Sequence, residues 1–146
     1  MDIDNPELFK RLQEHGLRPT EARRLVLSLL SANNDHPNTD GIIRSLQDKG
    51  FPVSIATLYQ NLDKLVEAGL LIRIKGPDGL MRFDANLAPH HHLVCDYCGK
   101  MVDVKMKRVS QLKGNPVAFQ PGISLEGWTI DNLKIEYQGT CPNCHK

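Results

Sequence analysis

Residues 53–84 read "VSIATLYQNLDKLVEAGLLIRIKGPDGLMRFD", and the fold turns on how this stretch divides. Ser54 is a favourable N-cap and Gly69 a favourable stop, so the spacing predicts a helix between them. Ile55, Leu58, Leu62 and the Leu65/Val66 pair recur at helical intervals and are expected to face inward. Thr57, Gln60, Asn61 and Lys64 form the opposite, polar stripe. Beyond Gly69, "LLIRIK" and "LMRFD" read as two strands joined by the turn "GPDG".

Upstream, three more helices have recognisable ends. Asn5-Pro6 supplies a cap followed by proline at the first helical position, and Gly16 closes that helix. "PTEARRLVLSLLSAN" starts at the Thr20 cap with a leucine stripe, and "TDGIIRSLQDKG" runs from Thr39 to Gly50. Helices, then a polar-striped helix, then a hairpin: that order is a winged helix-turn-helix. Gln60 and Asn61 have the amide geometry to read adenine, and Lys64 suits guanine or a phosphate. Ser54, Thr57, Tyr59, Arg18, Arg23 and Arg24 are candidates for contacts to a DNA backbone, with a packing role as the other reading of Tyr59.

Downstream of Pro89 the pattern changes. "HHHLVC", "MVDV", "WTID" and "LKIEYQG" read as short strands around a weak helical patch near 105–113, which "GNPVAFQPG" interrupts. The expected class is α+β, with a winged-helix domain at 1–84, a hinge at 85–89 and a small second domain at 90–146. The net charge of +1 does not by itself point to nucleic acid. No apolar run approaches the ~20 residues of a membrane span, and the acidic start "MDIDNPELFKRLQEHG" lacks a signal-peptide core. A cytoplasmic protein is expected, where paired cysteines bind metal more often than they form disulfides.

Cys95/Cys98 and Cys141/Cys144 are two C-x-x-C knuckles. Four thiolates complete a tetrahedral zinc shell with no open position, which is a structural site. Redox dithiols or an iron–sulfur cluster are the competing readings. The histidine run 90–92 is then not needed for zinc. On a strand, His90 and His92 share one face and His91 takes the other. Asp84, Asp103 and, from the first domain, His36 are candidate partners. Three imidazoles and two carboxylates without sulfur suit Fe²⁺ or Mn²⁺ better than a thiolate cage does.

Together, "LRPTEARRLVLSLL", "HPNTDGIIRSL", "VSIATLYQNLDKLVEAGLL", "MRFD", "HHHLVCDYCGKMVDV" and "CPNC" resemble the ferric uptake regulator (Fur) superfamily. The resemblance implies a metal-dependent transcription factor, a homodimer whose winged helices bind double-stranded DNA at a palindromic operator and whose C-terminal α/β domain dimerises. The four cysteines match its structural zinc ligands, and His36, Asp84, His90, His92 and Asp103 match its regulatory site at the hinge. Asp103, where iron-uptake members more often carry Glu, and "YQNL" resemble the peroxide-sensing, PerR-like branch. That branch implies a repressor released when hydrogen peroxide oxidises a histidine ligand, matching His36 and His90. The "KGNPVAFQPGISLE" stretch departs from the dimer-domain helix expected there.

Three rivals remain open. An iron-responsive Fur-type repressor of metal uptake genes would ignore peroxide. A metal-dependent hydrolase or oxygenase would need an open coordination position and a general base, and no H-E-x-x-H is present. A zinc-ribbon interaction module would leave the polar stripe on residues 57–64 unexplained.

Overall fold

The structure, a computed structural model, describes residues 2–33, 35–105, 116–130 and 133–145. Four helices come first: α1 (Pro6–Glu14), α2 (Glu21–Ala32), α3 (Thr39–Asp48) and α4 (Ile55–Glu67). The strands β1 (Ile72–Lys75) and β2 (Met81–Asp84) follow, then β3 (His91–Cys95), β4 (Met101–Val104) and β5 (Glu136–Gly139).

Capping chemistry sets the helix ends. Side chains of Asn5, Thr20, Asn38 and Ser54 each accept an amide hydrogen from the first turn that follows, satisfying donors the helix itself leaves unpaired. α4 stops through two reversed hydrogen bonds, Leu70 N–H to the Leu65 carbonyl at 2.9 Å and Gly69 N–H to the Val66 carbonyl at 3.0 Å. Gly69 must take φ +78° to make them, a conformation that costs glycine nothing. The turn delivers Leu70 fully buried against the helices and starts the hairpin.

β1 and β2 pair antiparallel with Ile72 opposite Asp84, forming the wing. Leu12, Leu27, Ile42, Leu46, Leu58, Leu62 and Leu65 meet in one core, which Leu70, Leu71 and Phe83 extend to the wing. Burying each such leucine contributes about 1.5–3 kcal/mol before entropy is counted. Ile55 is not part of this core: it is the first residue of α4 and is 61% exposed.

β3 is the centre of a second sheet, antiparallel to β4 and parallel to β5. Among the described residues its buried apolar groups are only Val94, Met101 and the Cys95 side chain. So small a core calls for a staple. Here sequence and structure part in places. "WTID" forms no strand over its described residues, and the "LKIEYQG" run is a strand only from Glu136 to Gly139. Alternation alone does not make a strand; the run that reaches β3 becomes one. Most of the helical patch expected near 105–113 lies outside the described residues, and Lys105 is irregular. Among the described residues no helix is long and apolar enough to cross a membrane.

Candidate metal centres

The first centre gathers the two knuckles. Cys95, Cys98, Cys141 and Cys144 bring their sulfurs together with no disulfide between them. Cys95 ends β3 and Cys141 follows β5, so the parallel pairing of those strands sets the two knuckles side by side. Cys98 Sγ and Cys141 Sγ are 3.7 Å apart, and a tetrahedron with ~2.3 Å metal–sulfur bonds has edges of about 3.8 Å. Amide hydrogens turn inward on the sulfurs, Cys141 N–H donating to Cys95 Sγ at 3.3 Å. Backbone donors of Cys98 and Cys141 lower the Cys95 thiol to about 6, whereas its sulfur neighbours, Cys141 first, push Cys144 up to about 12. Four thiolates this close cannot all ionise unaided; a dication permits it. The donor set fits zinc.

The second centre is assembled from three segments. His36 lies in the turn between α2 and α3, Asp84 ends β2, and the third segment is the second sheet with the residue that leads into it: His90 immediately before β3, His92 in β3 and Asp103 in β4. His92 and Asp103 are cross-strand partners in β3 and β4. His36 sits at φ +50°, unusual for a residue with a Cβ. The Arg82 guanidinium donates to its carbonyl at 3.3 Å, and Phe83 N–H donates to the Pro37 carbonyl at 3.3 Å, tying this turn to β2 beside Asp84.

One donor atom from each of the five residues lies within 4.8 Å of all the others. Asp84 Oδ2 is 2.8 Å from His90 Nε2 and 3.1 Å from His36 Nε2. Asp103 Oδ1 is 2.7 Å from His36 Nε2 and 3.3 Å from both His90 and His92 Nε2. An ion with ~2.1 Å bonds separates neighbouring octahedral ligands by about 3.0 Å. Despite these distances, His36 Nε2 and Asp103 Oδ1 are buried with no hydrogen-bond partner. Proximity without a hydrogen bond is reconciled if both are ligands of a common cation. His90 agrees: its Nδ1–H donates to the Ala88 carbonyl at 2.6 Å, which leaves Nε2 bare toward the carboxylates. The residues fit a divalent ion.

His91 is the odd histidine, as its strand position implies. It is buried on the other face, its Nδ1 accepting from Ile135 N–H at 3.0 Å.

Protonation here has a definite sign. Burial disfavours the charged form of His36, but Asp84 and Asp103 outweigh it and raise its pKa above the ordinary ~6.5. Burial opposes ionisation of Asp84 too, yet the adjacent His36 imidazole and the Asn86 backbone amide hold its carboxyl well below the usual range. Burial and the neighbouring His90 keep His92 low and neutral. In the metal-free protein, His36 therefore contributes stability below about 6.5 that is lost as pH rises through its raised value. Asp84 contributes above the ordinary carboxylate value of about 3.9, and that is lost in strong acid. A bound cation must displace the His36 proton. Mn²⁺ affinity is expected to climb from pH ~5.5 through ~6.5 and to keep climbing above it, measured by calorimetric titration at each pH. A flat profile would remove His36 from the ligand set.

The candidate DNA-facing residues divide into two groups. Tyr59, Gln60 and Lys64 are exposed along α4, Tyr59 at 51%. Thr57 and Asn61 are half-buried at the edge of that face. Asn61 accepts from Arg23 Nε at 3.2 Å and donates to the Thr57 carbonyl at 2.8 Å, while Arg23 also donates to the Arg18 carbonyl. Ser54 is spent as the α4 cap, its hydroxyl donating to Thr57 Oγ1. Arg24 turns back onto Asp4, the Ile3 carbonyl and the Phe9 ring. Asp63, on the exposed face, pairs with Arg73 of β1 at 2.6 Å, which masks a negative charge between Gln60 and Lys64. Sequence reading missed that pair, and it also missed Asn86, whose amide donates to Asp103 Oδ2 at 3.0 Å. An asparagine just after an acidic strand end was the only available signal.

A winged helix joined to a small sheet by a nitrogen–oxygen metal centre, with a separate thiolate centre beyond it, defines a metal-binding winged-helix regulator. The chain belongs to the ferric uptake regulator family, whose pattern matches residues 14–132. It is 31% identical over 140 residues to the peroxide operon regulator of Bacillus subtilis, covering 96% of this chain and 92% of that one. It is 27% identical over 144 residues to the peroxide-responsive repressor PerR of Staphylococcus epidermidis, covering 99% and 92%. Among solved structures, a zinc-bound manganese uptake regulator superposes with TM-score 0.68 at 26% identity, over 92% of this chain and 98% of that one. The Vibrio cholerae ferric uptake regulator shares the fold, with TM-score 0.71 at 24% identity over 91% and 98%. Membership makes the chain a transcriptional regulator and not an enzyme, which sets aside the hydrolase and oxygenase readings.

Proposed function

We propose that the protein is a cytoplasmic, homodimeric repressor that grips a palindromic operator when Fe²⁺ or Mn²⁺ is held by His36, Asp84, His90, His92 and Asp103, and releases it on exposure to hydrogen peroxide. One observation carries this: the five donor atoms come from the winged-helix turn, the end of the wing and the second sheet, yet lie within 4.8 Å. Residues 1–84 and 90–146 can therefore act as separate bodies about the 85–89 hinge, and shared ligation fixes the angle between them. In a dimer that angle sets the spacing of the two α4 helices, which must match successive major grooves. Tyr59, Gln60 and Lys64 are the side chains best placed to enter one. Cys95, Cys98, Cys141 and Cys144 hold a permanent Zn²⁺ apart from this exchange.

An Fe²⁺ ion held by these residues would supply the one-electron redox chemistry that cleaves the O–O bond of hydrogen peroxide, which Mn²⁺ would not. His36 and His90 are the proposed acceptors of one oxygen atom: a ring C–H becomes C=O with its hydrogen moved to nitrogen, the ring gives up two electrons to the peroxide, and the second peroxide oxygen leaves as water. An oxidised ring is a weaker donor, and the angle between the two bodies is then no longer fixed. The relatives named for peroxide response support this branch over an iron-responsive repressor of uptake genes.

The test is a binding titration against a palindromic duplex selected from random DNA by the Mn²⁺ form. The apo, Mn²⁺ and Fe²⁺ proteins are compared with and without hydrogen peroxide. Expected are at least ~100-fold tighter binding with either metal than without, worth about 2.7 kcal/mol, and loss on peroxide only in the iron form. A peptide holding His36 or His90 should gain one oxygen in parallel. Lost DNA binding with both peptides unmodified would overturn the peroxide reading; metal-independent binding would overturn the regulator itself.

A further inference from the structure

We infer that Asn86 is a positioning residue that presets both carboxylates of the nitrogen–oxygen centre, and that it tunes metal affinity through Asp103. This rests on the reading of that centre as a metal site. Asn86 lies in the hinge stretch "DANLAP" and touches two of the five ligands directly. Its backbone N–H donates to Asp84 Oδ1 at 2.8 Å. Its side-chain amide donates to Asp103 Oδ2 at 3.0 Å, seventeen residues away on β4. Its side-chain oxygen accepts from Ala88 N–H at 3.2 Å, and the Ala88 carbonyl takes the Nδ1–H of His90 at 2.6 Å.

These contacts leave a consistent division of atoms. Asp84 Oδ1, Asp103 Oδ2 and His90 Nδ1 are held from the hinge, while Asp84 Oδ2, Asp103 Oδ1 and His90 Nε2 converge on one another. A carboxylate with one oxygen held can no longer spin or swing both oxygens onto the ion. It presents a single oxygen with its charge intact, because the partner is neutral. Asparagine suits this position because its short side chain both donates and accepts. Aspartate would set a second negative oxygen against Asp103, and alanine would free it. Ligating carboxylates and imidazoles lose about 10–100-fold in metal affinity when such outer hydrogen bonds are removed.

The experiment loads the full-length zinc protein with Co²⁺, which binds nitrogen–oxygen sites more tightly than Mn²⁺ and reports its ligands by visible absorption. Four forms are titrated: parent, Asn86→Ala, Asp103→Ala and the double variant. Asn86→Ala is expected to weaken Co²⁺ about 10–100-fold and to alter the absorption bands, with one zinc per chain retained. In the Asp103→Ala background the same change should cost at least fivefold less, since its main partner is gone. An equal loss in both backgrounds, or no loss in the parent, overturns the role of Asn86. Failure of the parent to take up Co²⁺ outside the thiolates would instead overturn the metal site itself.

Discussion

Replacing Asp84 with alanine is expected to lower the affinity of the nitrogen–oxygen centre for Mn²⁺ by 100-fold or more and to abolish metal-dependent DNA binding at Mn²⁺ concentrations that saturate the parent. Asp84 is the ligand whose loss reaches furthest. Its Oδ2 lies within 3.5 Å of all three imidazoles, and it is the one ligand on the wing itself. Without it, His36 alone links the winged helix to the second sheet through the ion. The hinge would then close only as far as a monodentate tether requires. To move a population from mostly open to mostly closed, an ion must favour the closed form by about 5.5 kcal/mol. The control is zinc content and helical circular dichroism, both expected unchanged, because Asp84 lies outside the leucine core. An Asp84→Ala protein that still bound its operator only with Mn²⁺, and with parental affinity, would show that the ion acts elsewhere.

The second large effect is expected from Cys95→Ser. Among the described residues the second sheet has few buried apolar groups, so the thiolate centre is expected to be its staple, and structural zinc sites supply on the order of 10–16 kcal/mol of apparent binding energy at neutral pH. Serine cannot replace a thiolate at Cys95, whose sulfur also accepts the Cys141 amide that joins the two knuckles. Zinc should be lost, and amide hydrogens of β3 and β4 should exchange at the rate of an unfolded chain. The helices should keep their own melting transition, since their core contains no residue of the second sheet. Zinc removal from the parent by a strong chelator should reproduce the pattern. Retained protection of β3 after zinc loss would mean that the sheet stands without its ion.

Much of this was legible from residues alone because the decisive signals are local. Four helix starts could be placed within a residue from Asn5, Thr20, Thr39 and Ser54, since a cap is a short-range hydrogen bond. The separate fates of His90, His91 and His92 followed from strand alternation, which the structure repeats even though β3 begins one residue after His90. What was not legible depends on distance. Ile55 has the right spacing for the core, but whether anything packs on the first turn of α4 is a tertiary matter. "WTID" has strand-forming residues, and which run lies beside β3 is decided by the knuckles at the strand ends. Asn61 and Arg24 look like free polar groups until their partners, Arg23 and Asp4, are brought up by packing. Asn86 was invisible because a loop asparagine is nearly always read as a turn former.

The parallel pairing of β3 with β5 has one further consequence. Those strands are held in register at their ends by sulfur, and the chain between Cys98 and Cys141, 43 positions apart, is a closed excursion from that anchor. Lengthening such an excursion is cheap, about 0.6 kcal/mol for each doubling. A change in chain length between β4 and β5, outside the strands that pair with β3, is therefore not expected to loosen the clasp.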